Sequence, residues 1–210
     1  FLEDFIDGEL IAYSVVIKNQ KIIYGFTGRD DTYKNKYLIT SAYPIKLKTV
    51  THDKLRNDVE KISELLSLVD GMFHLQVIIR DNVPYIIDVT RRIPGDFYPY
   101  LKEYCDKVEY SKAVVKSYIG EPLTSELITE KEQEFVIRHC VMSNKNGTFK
   151  EIRIDETLKY SVIFRVDLIQ KNTEINNFLT SQIAIIFIKL PVKDENIINN
   201  INRLIHPIVT

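Results

Sequence analysis

The sequence predicts an α+β fold. Short apolar and β-branched segments occur in pairs with a polar turn between them, which is typical of antiparallel hairpins. Other segments carry apolar residues at helical spacing. The two kinds of segment do not alternate regularly, as they would around a parallel sheet.

The first part of the chain is expected to hold two hairpin strands, a third strand and a helix, in that order, at residues 10–18, 21–27, 37–48 and 51–67. Asn19 and Gln20 are expected to form the turn of the hairpin, although Asn-Gln is a weaker turn signal than Asn-Gly. The polar residues 28–36 are interpreted as a loop. Thr51 is expected to cap the helix, because a side-chain oxygen at that position can accept a hydrogen bond from a free backbone N–H.

A second hairpin is expected next, and two helices follow it. These strands and helices are expected at residues 73–79, 84–89, 98–105 and 110–118. Pro84 suits the first residue of a strand, since it has no N–H to donate. We expect the strands of residues 1–121 to form an antiparallel sheet with helices packed on one face.

The chain is expected to contain two domains, at residues 1–124 and 125–210. Residues 125–134 are polar and acidic and are interpreted as a linker between them. The second domain is expected to be a small α+β unit. Its strands and its final helix are expected at residues 135–142, 148–154, 160–169, 182–190 and 194–205.

The composition is that of a globular protein with enough apolar residues for a core. Hydrophobic residues make up 45% of the chain and charged residues 27%, and the net charge is -1. The balance of charges gives no reason to expect nucleic acid or a membrane surface as a partner, and the apolar runs are too short to span a bilayer. With only two cysteines, the chain is expected to be reduced and cytoplasmic. It begins with Phe1, so we expect its natural N-terminus to be missing.

Residues 71–96 carry the most informative chemistry. Gln76 and Asp88 lie on the two arms of the second hairpin, and a hairpin can place polar groups from both arms on one face. Residues two apart share a face, so His74 is expected beside Gln76 and Thr90 beside Asp88. Asp88 ends an apolar strand and therefore needs a metal or an arginine as its partner.

Arg91 and Arg92 follow at once and supply positive charge for a phosphate or a carboxylate. The alternative is a structural Asp–Arg pair that closes the hairpin, and the spacing alone does not separate the two. His74 is interpreted as a packed histidine rather than a base. His139, in an apolar strand, is interpreted as a core residue.

This pattern resembles the ATP-grasp enzymes. Those ligases carry a metal-binding acid on the first strand of such a hairpin, a second acid twelve positions later, and then x-Asn-x-Arg. Gln76 and Asp88 have that separation, while Thr90 and Arg92 take the Asn and Arg places. Within this superfamily the chain is most similar to the carboxylate-amine ligases and proteins like biotin carboxylase, and the stretch R-R-I-P-G-D-F-Y resembles the Arg-Arg-x-Pro-Gly-Asp-x-Tyr signature of one branch.

The opening segment resembles the hinge between the two lobes of that family. There an acid and the following backbone hold adenine, and a later acid holds ribose. The positions that match are Glu3, Asp4, Phe5, Ile6 and Glu9. The resemblance therefore implies that residues 1–124 are the C-terminal lobe of an ATP-grasp domain, and that a small C-terminal domain follows.

The resemblance also implies a site. Asp88, Gln76 and Thr90 would hold Mg²⁺, with Gln76 also beside the nucleotide, and Arg92 with Arg91 would stabilise the transferred phosphoryl group. The sequence departs from the family pattern at three of these positions, since Gln76 is neutral, Asp88 is shorter than the usual Glu, and Thr90 replaces an amide. Only one carboxylate of the chain is then left in the metal site.

The expected function is that of an ATP-dependent ligase, with ATP and Mg²⁺ as cofactors. In such enzymes ATP converts a carboxylate into an acyl phosphate, which an amine or a similar nucleophile attacks. ATP, a small carboxylate and an amine are the expected partners, and a homo-oligomer is left open. Because the other lobe is not in this chain, the 210 residues alone are expected to be inactive. The alternatives are a non-catalytic nucleotide- or ligand-binding module, motivated by Gln76, and a folding unit of a larger enzyme.

Overall fold

A computed structural model describes residues 2, 4–124 and 134–210 of the chain. Strands and helices are numbered along the chain. In order they are β1 (Glu9–Lys18), β2 (Lys21–Thr32), β3 (Ile39–Pro44), α1 (Thr49–Leu65), β4 (Gly71–Arg80), β5 (Val83–Thr90), α2 (Tyr98–Asp106), α3 (Tyr110–Tyr118), β6 (Phe135–Met142), β7 (Gly147–Ile154), β8 (Val162–Asp167), β9 (Glu174–Ile175), β10 (Gln182–Leu190), α4 (Glu195–Leu204) and β11 (Ile205–Val209). The α+β class expected from the sequence is confirmed.

The chain divides into two compact units. Unit 1 comprises residues 1–29 and 44–133, and unit 2 comprises residues 30–43 and 134–210. The segment 30–43 thus groups with the C-terminal part of the chain. Most of the linker expected at residues 125–134 lies outside the described residues.

Unit 1 is built on an antiparallel sheet with the strand order β5-β4-β1-β2. Both hairpins expected from the sequence are present, and β1 pairs with β4 between them. That central pairing runs from Glu9 opposite Ile79 to Ile17 opposite Gly71. It joins two hairpins that are far apart in the sequence into one sheet.

Helices cover both faces of this sheet. Alternate side chains of a strand point to opposite faces, and Leu55 and Val59 of α1 pack on the face that carries Tyr13 and Leu75. The other face is covered by α2 and α3. The expectation that all helices lie on one face is therefore wrong, because polar and aromatic residues of β1, β2 and β4 also pack against helices.

Contacts of α2 show how the second face is covered. The ring of Tyr98 meets His74 of β4 edge-on at 5.7 Å between centroids. The hydroxyl of Tyr24 in β2 donates to Oδ2 of Asp106 at 2.8 Å. Tyr24 and His74 stand on the face opposite to Tyr13, so α2 packs on the side of the sheet away from α1.

Two local expectations are corrected. Strand β2 continues to Thr32, into the segment interpreted as a loop. Helix α1 begins at Thr49 after the N-cap residue Lys48, so Thr51 is not the cap. Instead the Thr51 hydroxyl donates to the carbonyl oxygen of Asn82 at 2.7 Å, which ties the start of α1 to the β4–β5 turn.

Unit 2 contains antiparallel neighbours in the order β3-β6-β10-β8, and a three-stranded sheet in the order β11-β7-β9. His139 of β6 is fully buried and its Nδ1 lies 2.9 Å from the Ser41 hydroxyl. Burial lowers the pKa of His139 to about 3, and the charge of Arg138 acts in the same direction. The interpretation of His139 as a core residue is confirmed.

No helix in the described part of the chain has both the length and the apolar character needed to cross a membrane.

Candidate functional site

The β4–β5 hairpin has a turn that its sequence explains. Arg80 pairs with Val83, which leaves a two-residue loop of Asp81 and Asn82, with φ of 53° and 65°. Two central residues with positive φ define the type I′ turn, whose twist matches that of the flanking strands. Asp and Asn adopt this left-handed conformation more readily than most residues.

The register of the hairpin brings the predicted metal-site residues together. Gln76 stands directly opposite Asp88, and His74 stands opposite Thr90. The register shifts between Gln76 and Val77, so Ile87 is an extra residue in β5. Directly opposed residues share a face, and the four side chains therefore line one surface, which we call the Gln76 face.

One end of the Gln76 face is closed by buried groups. The Ser14 hydroxyl lies 2.6 Å from Nδ1 of His74, the neighbour of Gln76 on this face. In α2, Lys102 is fully buried, and its Nζ lies 4.3 Å from the centroid of the Tyr98 ring and 4.5 Å from that of Tyr110. An ammonium over two aromatic faces is stabilised by cation–π attraction.

His74 is held in its neutral form. Burial lowers its pKa to about 3, and the positive charges of Lys102 and Arg92 act in the same direction. A charged imidazole would lose its hydration and would be repelled by both cations. His74 is thus a packed, hydrogen-bonding residue, as the sequence analysis expected.

The two arginines after β5 have different surroundings. Arg91 is half-buried, and its Nη2 donates to the carbonyl oxygens of Val69 at 2.9 Å and Asp70 at 3.2 Å. The Tyr118 hydroxyl donates to the backbone carbonyl of Arg91. Gly71 has φ of +134°, and a Cβ there would lie 3.2 Å from the Arg91 guanidinium. Arg91 thus ties the end of β5 to the start of β4 and to α3.

Arg92 is exposed. Its side chain donates only to the neighbouring Ile93 carbonyl, at 3.2 Å, among the residues that the structure describes. Its backbone N–H donates to Oγ1 of Thr90 at 3.3 Å, which orients the threonine at the end of the hairpin. The guanidinium of Arg92 remains accessible to a ligand.

The predicted nucleotide-binding segment lies outside the Gln76 face. Asp4 and Phe5 are exposed and Ile6 is half-buried, while Glu3 lies outside the described residues. Glu9 stands opposite Ile79, and its carboxylate is 2.8 Å from the guanidinium of Arg29. The register gives Glu9 the α1 face of the sheet, so it is not brought together with Gln76. Its role at the ribose stays a prediction.

The oxygen donors of the Gln76 face suit a hard cation. Asp88 is exposed and Gln76 and Thr90 are half-buried, so a carboxylate, an amide oxygen and a hydroxyl are available. Mg²⁺ prefers oxygen ligands and is often bound by one or two carboxylates together with substrate phosphates. In the described residues no three Asp, Glu, His or Cys side chains are grouped as a metal site. These three side chains fit part of the coordination of Mg²⁺, and phosphate oxygens or waters would supply the rest.

Sequence reasoning did not find Ser14 or Lys102 as neighbours of this site. Ser14 was visible as a lone polar residue in an apolar strand. Lys102 follows Tyr98 at the i+4 spacing of a helix, so the two side chains share a helix face. Which face meets His74 depends on long-range packing that the spacing does not give.

The chain is similar to known proteins in its structure and not in its sequence. No family model matches the sequence, and no curated protein is significantly similar to it. Among solved structures, phosphoribosylglycinamide synthetase from Anaerococcus prevotii matches 99% of this chain and 55% of its own, with a TM-score of 0.80 and 22% identity. L-amino acid ligase from Bacillus licheniformis matches 98% of this chain and 55% of its own, with a TM-score of 0.79 and 18% identity.

A third solved structure is biotin carboxylase from Campylobacter jejuni in complex with β,γ-ATP. It matches 99% of this chain and 48% of its own, with a TM-score of 0.70 and 11% identity. This chain has the ATP-grasp fold. It spans about half the length of each of these ATP-grasp proteins.

Proposed function

We propose that the chain is the C-terminal part of an ATP-dependent ligase of the ATP-grasp type. The observation that carries the proposal is the direct opposition of Gln76 and Asp88 on one face of a hairpin in this fold. The ligase would activate a small carboxylate as an acyl phosphate, which an amine or a similar nucleophile attacks. The structural likeness to a synthetase, a ligase and a carboxylase supports the class of reaction.

The proposed metal donors are Asp88, Gln76 and Thr90. Mg²⁺ supplies charge neutralisation for the phosphates when it is bound. Asp88 contributes the one negative charge of the three side chains, so it is the residue on which affinity for the cation depends most. Gln76 is fixed opposite it by the register of the hairpin.

The two arginines are proposed to have separate roles. Arg92 is exposed at the end of the hairpin and can orient a phosphoryl group or an acyl phosphate through paired N–H donors. Arg91 uses its guanidinium to bind the carbonyl oxygens of Val69 and Asp70. We therefore assign Arg91 as a positioning residue that holds the turn from which Arg92 extends.

The nucleotide is proposed to contact Asp4, Phe5 and Ile6 at the start of the chain, and Glu9 with its ribose. Phe5 is an exposed aromatic side chain and can stack on a base. For Glu9 to bind ribose, its carboxylate has to share or leave its ion pair with Arg29. The Glu9→Ala variant is expected to bind ATP more weakly if the ribose role is correct.

A reducing compartment such as the cytoplasm is part of the proposal. Cys105 and Cys140 are buried in different units and form no disulfide within the described residues. Buried thiols of this kind need no oxidising environment for the fold.

The deciding experiment is Asp88→Asn in the protein that carries this chain, because the shape is kept and the charge is lost. Mg²⁺-dependent ATP turnover is measured with mixtures of carboxylates and amines. We expect turnover to fall by more than the roughly 10–100-fold that is typical of losing an outer-shell partner of a metal ligand, because Asp88 would bind the metal directly. The unfolding midpoint in the absence of Mg²⁺ should stay close to that of the wild type. The matched control is Asp167→Asn, which removes an exposed carboxylate of unit 2.

The second candidate is a nucleotide-binding module without catalysis. The neutral Gln76, at a position where the resemblance implies an acid, favours it. In that case the wild-type protein binds ATP but turns over no combination of carboxylate and amine. Equal ATP affinity with and without Mg²⁺, in both the wild type and Asp88→Asn, would remove the metal role as well.

A further inference from the structure

Unit 2 contains a polar pocket of about 580 Å³ that the proposed ligase chemistry does not use. Ligand pockets of proteins are typically about 300–1,000 Å³. The pocket lies where α4, the start of β11, the end of β6 and the segment after β2 meet. The lining residues that carry the inference are Asn199, Asn202, Arg203, His206, Asn144 and Tyr33.

Helix α4 presents one polar side to the pocket. Asn199, Asn202 and Arg203 have the i, i+3 and i+4 spacing that places side chains on the same side of a helix. Ile198 and Ile201 are buried on the other side. The burial of these isoleucines fixes the rotation of the helix, so the polar side is held in the pocket.

The start of α4 is fixed as well. The Asp194 side chain accepts hydrogen bonds from the backbone N–H groups of Asn196 and Ile197, at 2.9 and 3.1 Å. Such a cap stabilises the first turn of a helix. The backbone that carries the polar side of α4 is therefore fixed at its start without a ligand.

The charge of the pocket is positive. Among the described residues that line the pocket, Arg203 is the only one with a formal charge at neutral pH, and none is Asp or Glu. Lys34 lies over the ring of Tyr33, at 5.3 Å from its centroid, and adds a second cation at the edge. Across the described residues, the guanidinium of Arg203 has neither an ion pair nor a hydrogen bond.

Several uncharged polar groups of the pocket are also available. The side-chain amides of Asn144, Asn199 and Asn202 have no hydrogen bond to any described residue. Nδ1 of His206 lies 2.8 Å from the carbonyl oxygen of Arg203, to which it must donate, and Nε2 is left for other partners. Donors and acceptors therefore surround a cation that forms no ion pair with a carboxylate of the described part of the chain.

We propose that this pocket binds a small molecule bearing an oxyanion, either a phosphate or a carboxylate. Arg203 binds the oxyanion, since a guanidinium presents paired N–H donors to two oxygens. The amides of Asn199 and Asn202 bind the hydroxyl or amide groups next to it. The site shares no residue with the Gln76 face.

The test is a titration of the 210-residue chain with inorganic phosphate and, separately, with succinate, followed by the side-chain amide signals of asparagine in ¹⁵N NMR spectra. Sodium chloride at the same ionic strength is the reference for screening. We expect saturable shifts of the Asn199 and Asn202 amides with at least one of the two anions. A response to phosphate alone would mean that the oxyanion of the ligand is a phosphate group, and a response to succinate alone would mean that it is a carboxylate.

Two variants and a control make the test specific. Arg203→Gln is expected to weaken anion binding by about tenfold or more, the usual effect of losing a hydrogen bond to a charged group. Asn199→Asp places a negative charge in the pocket with little change of shape, and should abolish binding. The control Arg165→Gln removes an arginine of unit 2 whose Nε lies 2.7 Å from Asp167, and should bind as the wild type does.

Two results would overturn the proposal. The first is that chloride shifts the same amide signals as far as phosphate and succinate do. The second is that Arg203→Gln and Arg165→Gln bind the anion with equal affinity while both remain folded.

Discussion

Gln76 and Asp88 face each other directly across β4 and β5, next to the register shift that makes Ile87 an extra residue. A bulge bends the strand that contains it and changes the direction of its side chains. Because the extra residue Ile87 has no partner in β4, Asp88 stands opposite Gln76 and shares its face. The pairing of a neutral side chain with a carboxylate avoids repulsion when no cation is bound.

Adding a second carboxylate should therefore make the hairpin depend on Mg²⁺. In Gln76→Glu, like charges stand directly opposite each other, which is expected to lower the free energy of unfolding by about 0.2–1 kcal/mol in EDTA. Mg²⁺ should restore more stability to this variant than to the wild type, as measured by thermal unfolding. The double variant Gln76→Glu/Asp88→Asn is the control, because it has a single carboxylate again. If Mg²⁺ stabilises all three proteins equally, these two residues do not share a cation site.

Arg91 and Arg92 form a matched pair for separating stability from function. Arg91→Gln loses hydrogen bonds from a charged, half-buried group to the carbonyls of Val69 and Asp70, so we expect the free energy of unfolding to fall by about 1–3 kcal/mol. Arg92→Gln should change it by less than about 0.5 kcal/mol, as exposed substitutions usually do. Urea unfolding measures both variants. The reverse order would contradict the roles assigned to them.

The low pKa of His74 makes unit 1 sensitive to acid. The unfolded chain gains a proton on this histidine near the ordinary pKa of 6.5, whereas the folded chain gains it only near pH 3. The stability due to neutral His74 is thus complete above about pH 6.5 and is lost as the pH falls from there towards 3, by up to about 1.4 kcal/mol per pH unit.

The pH effect can be assigned with two variants. His74→Gln should reduce the slope of unfolding free energy against pH in this range, and so should His139→Gln, because burial lowers the pKa of both histidines. His139 has a pKa lowered to about 3 as well, so part of the slope should persist in His74→Gln. An unchanged slope in His74→Gln would show that this histidine is not held neutral by the fold.

The packing of α1 gives a stability test that does not involve the site. Leu55 is fully buried against the sheet, and Leu55→Ala is expected to lower the free energy of unfolding by about 2–5 kcal/mol. Leu65 on the same helix is exposed, and Leu65→Ala should have an effect below about 0.5 kcal/mol. The difference in unfolding free energy is measured from the denaturant midpoints of the variants, with one common dependence of that free energy on denaturant concentration. Similar losses in both variants would mean that α1 does not bury the Leu55 side.

Elements with a local signal were predictable from the sequence. The hairpin of β4 and β5 was predicted because residues 80–83 separate two apolar segments, and its turn forms at Asp81 and Asn82, which tolerate positive φ. The resemblance to ATP-grasp enzymes came from the same segment, and the fold is confirmed. That Gln76 and Asp88 share a face was also expected from the alternation of side chains along strands.

Features that depend on long-range contacts were not predictable. The extension of β2 to Thr32 lies in a polar segment, where pairing with other strands overrides weak strand propensity. Strand β11 begins at Ile205, where a helix was expected to end, because its residues pair with β7. It could not be predicted that helices also cover the second face of the sheet. This arrangement depends on the contact between Tyr98 and His74, which no sequence spacing encodes.

The pairing of β1 with β4 has a consequence for the order of folding events. The two hairpins of unit 1 can close quickly because their strands are neighbours in the sequence, whereas β1 and β4 must find each other across the length of β2, β3 and α1. We therefore expect the closure of this long loop to be the slow step of folding, and the contact between Ser14 and His74 to form only when it is complete. Substitutions at this pair should chiefly accelerate unfolding, while changes in the β4–β5 turn should alter the rate of refolding.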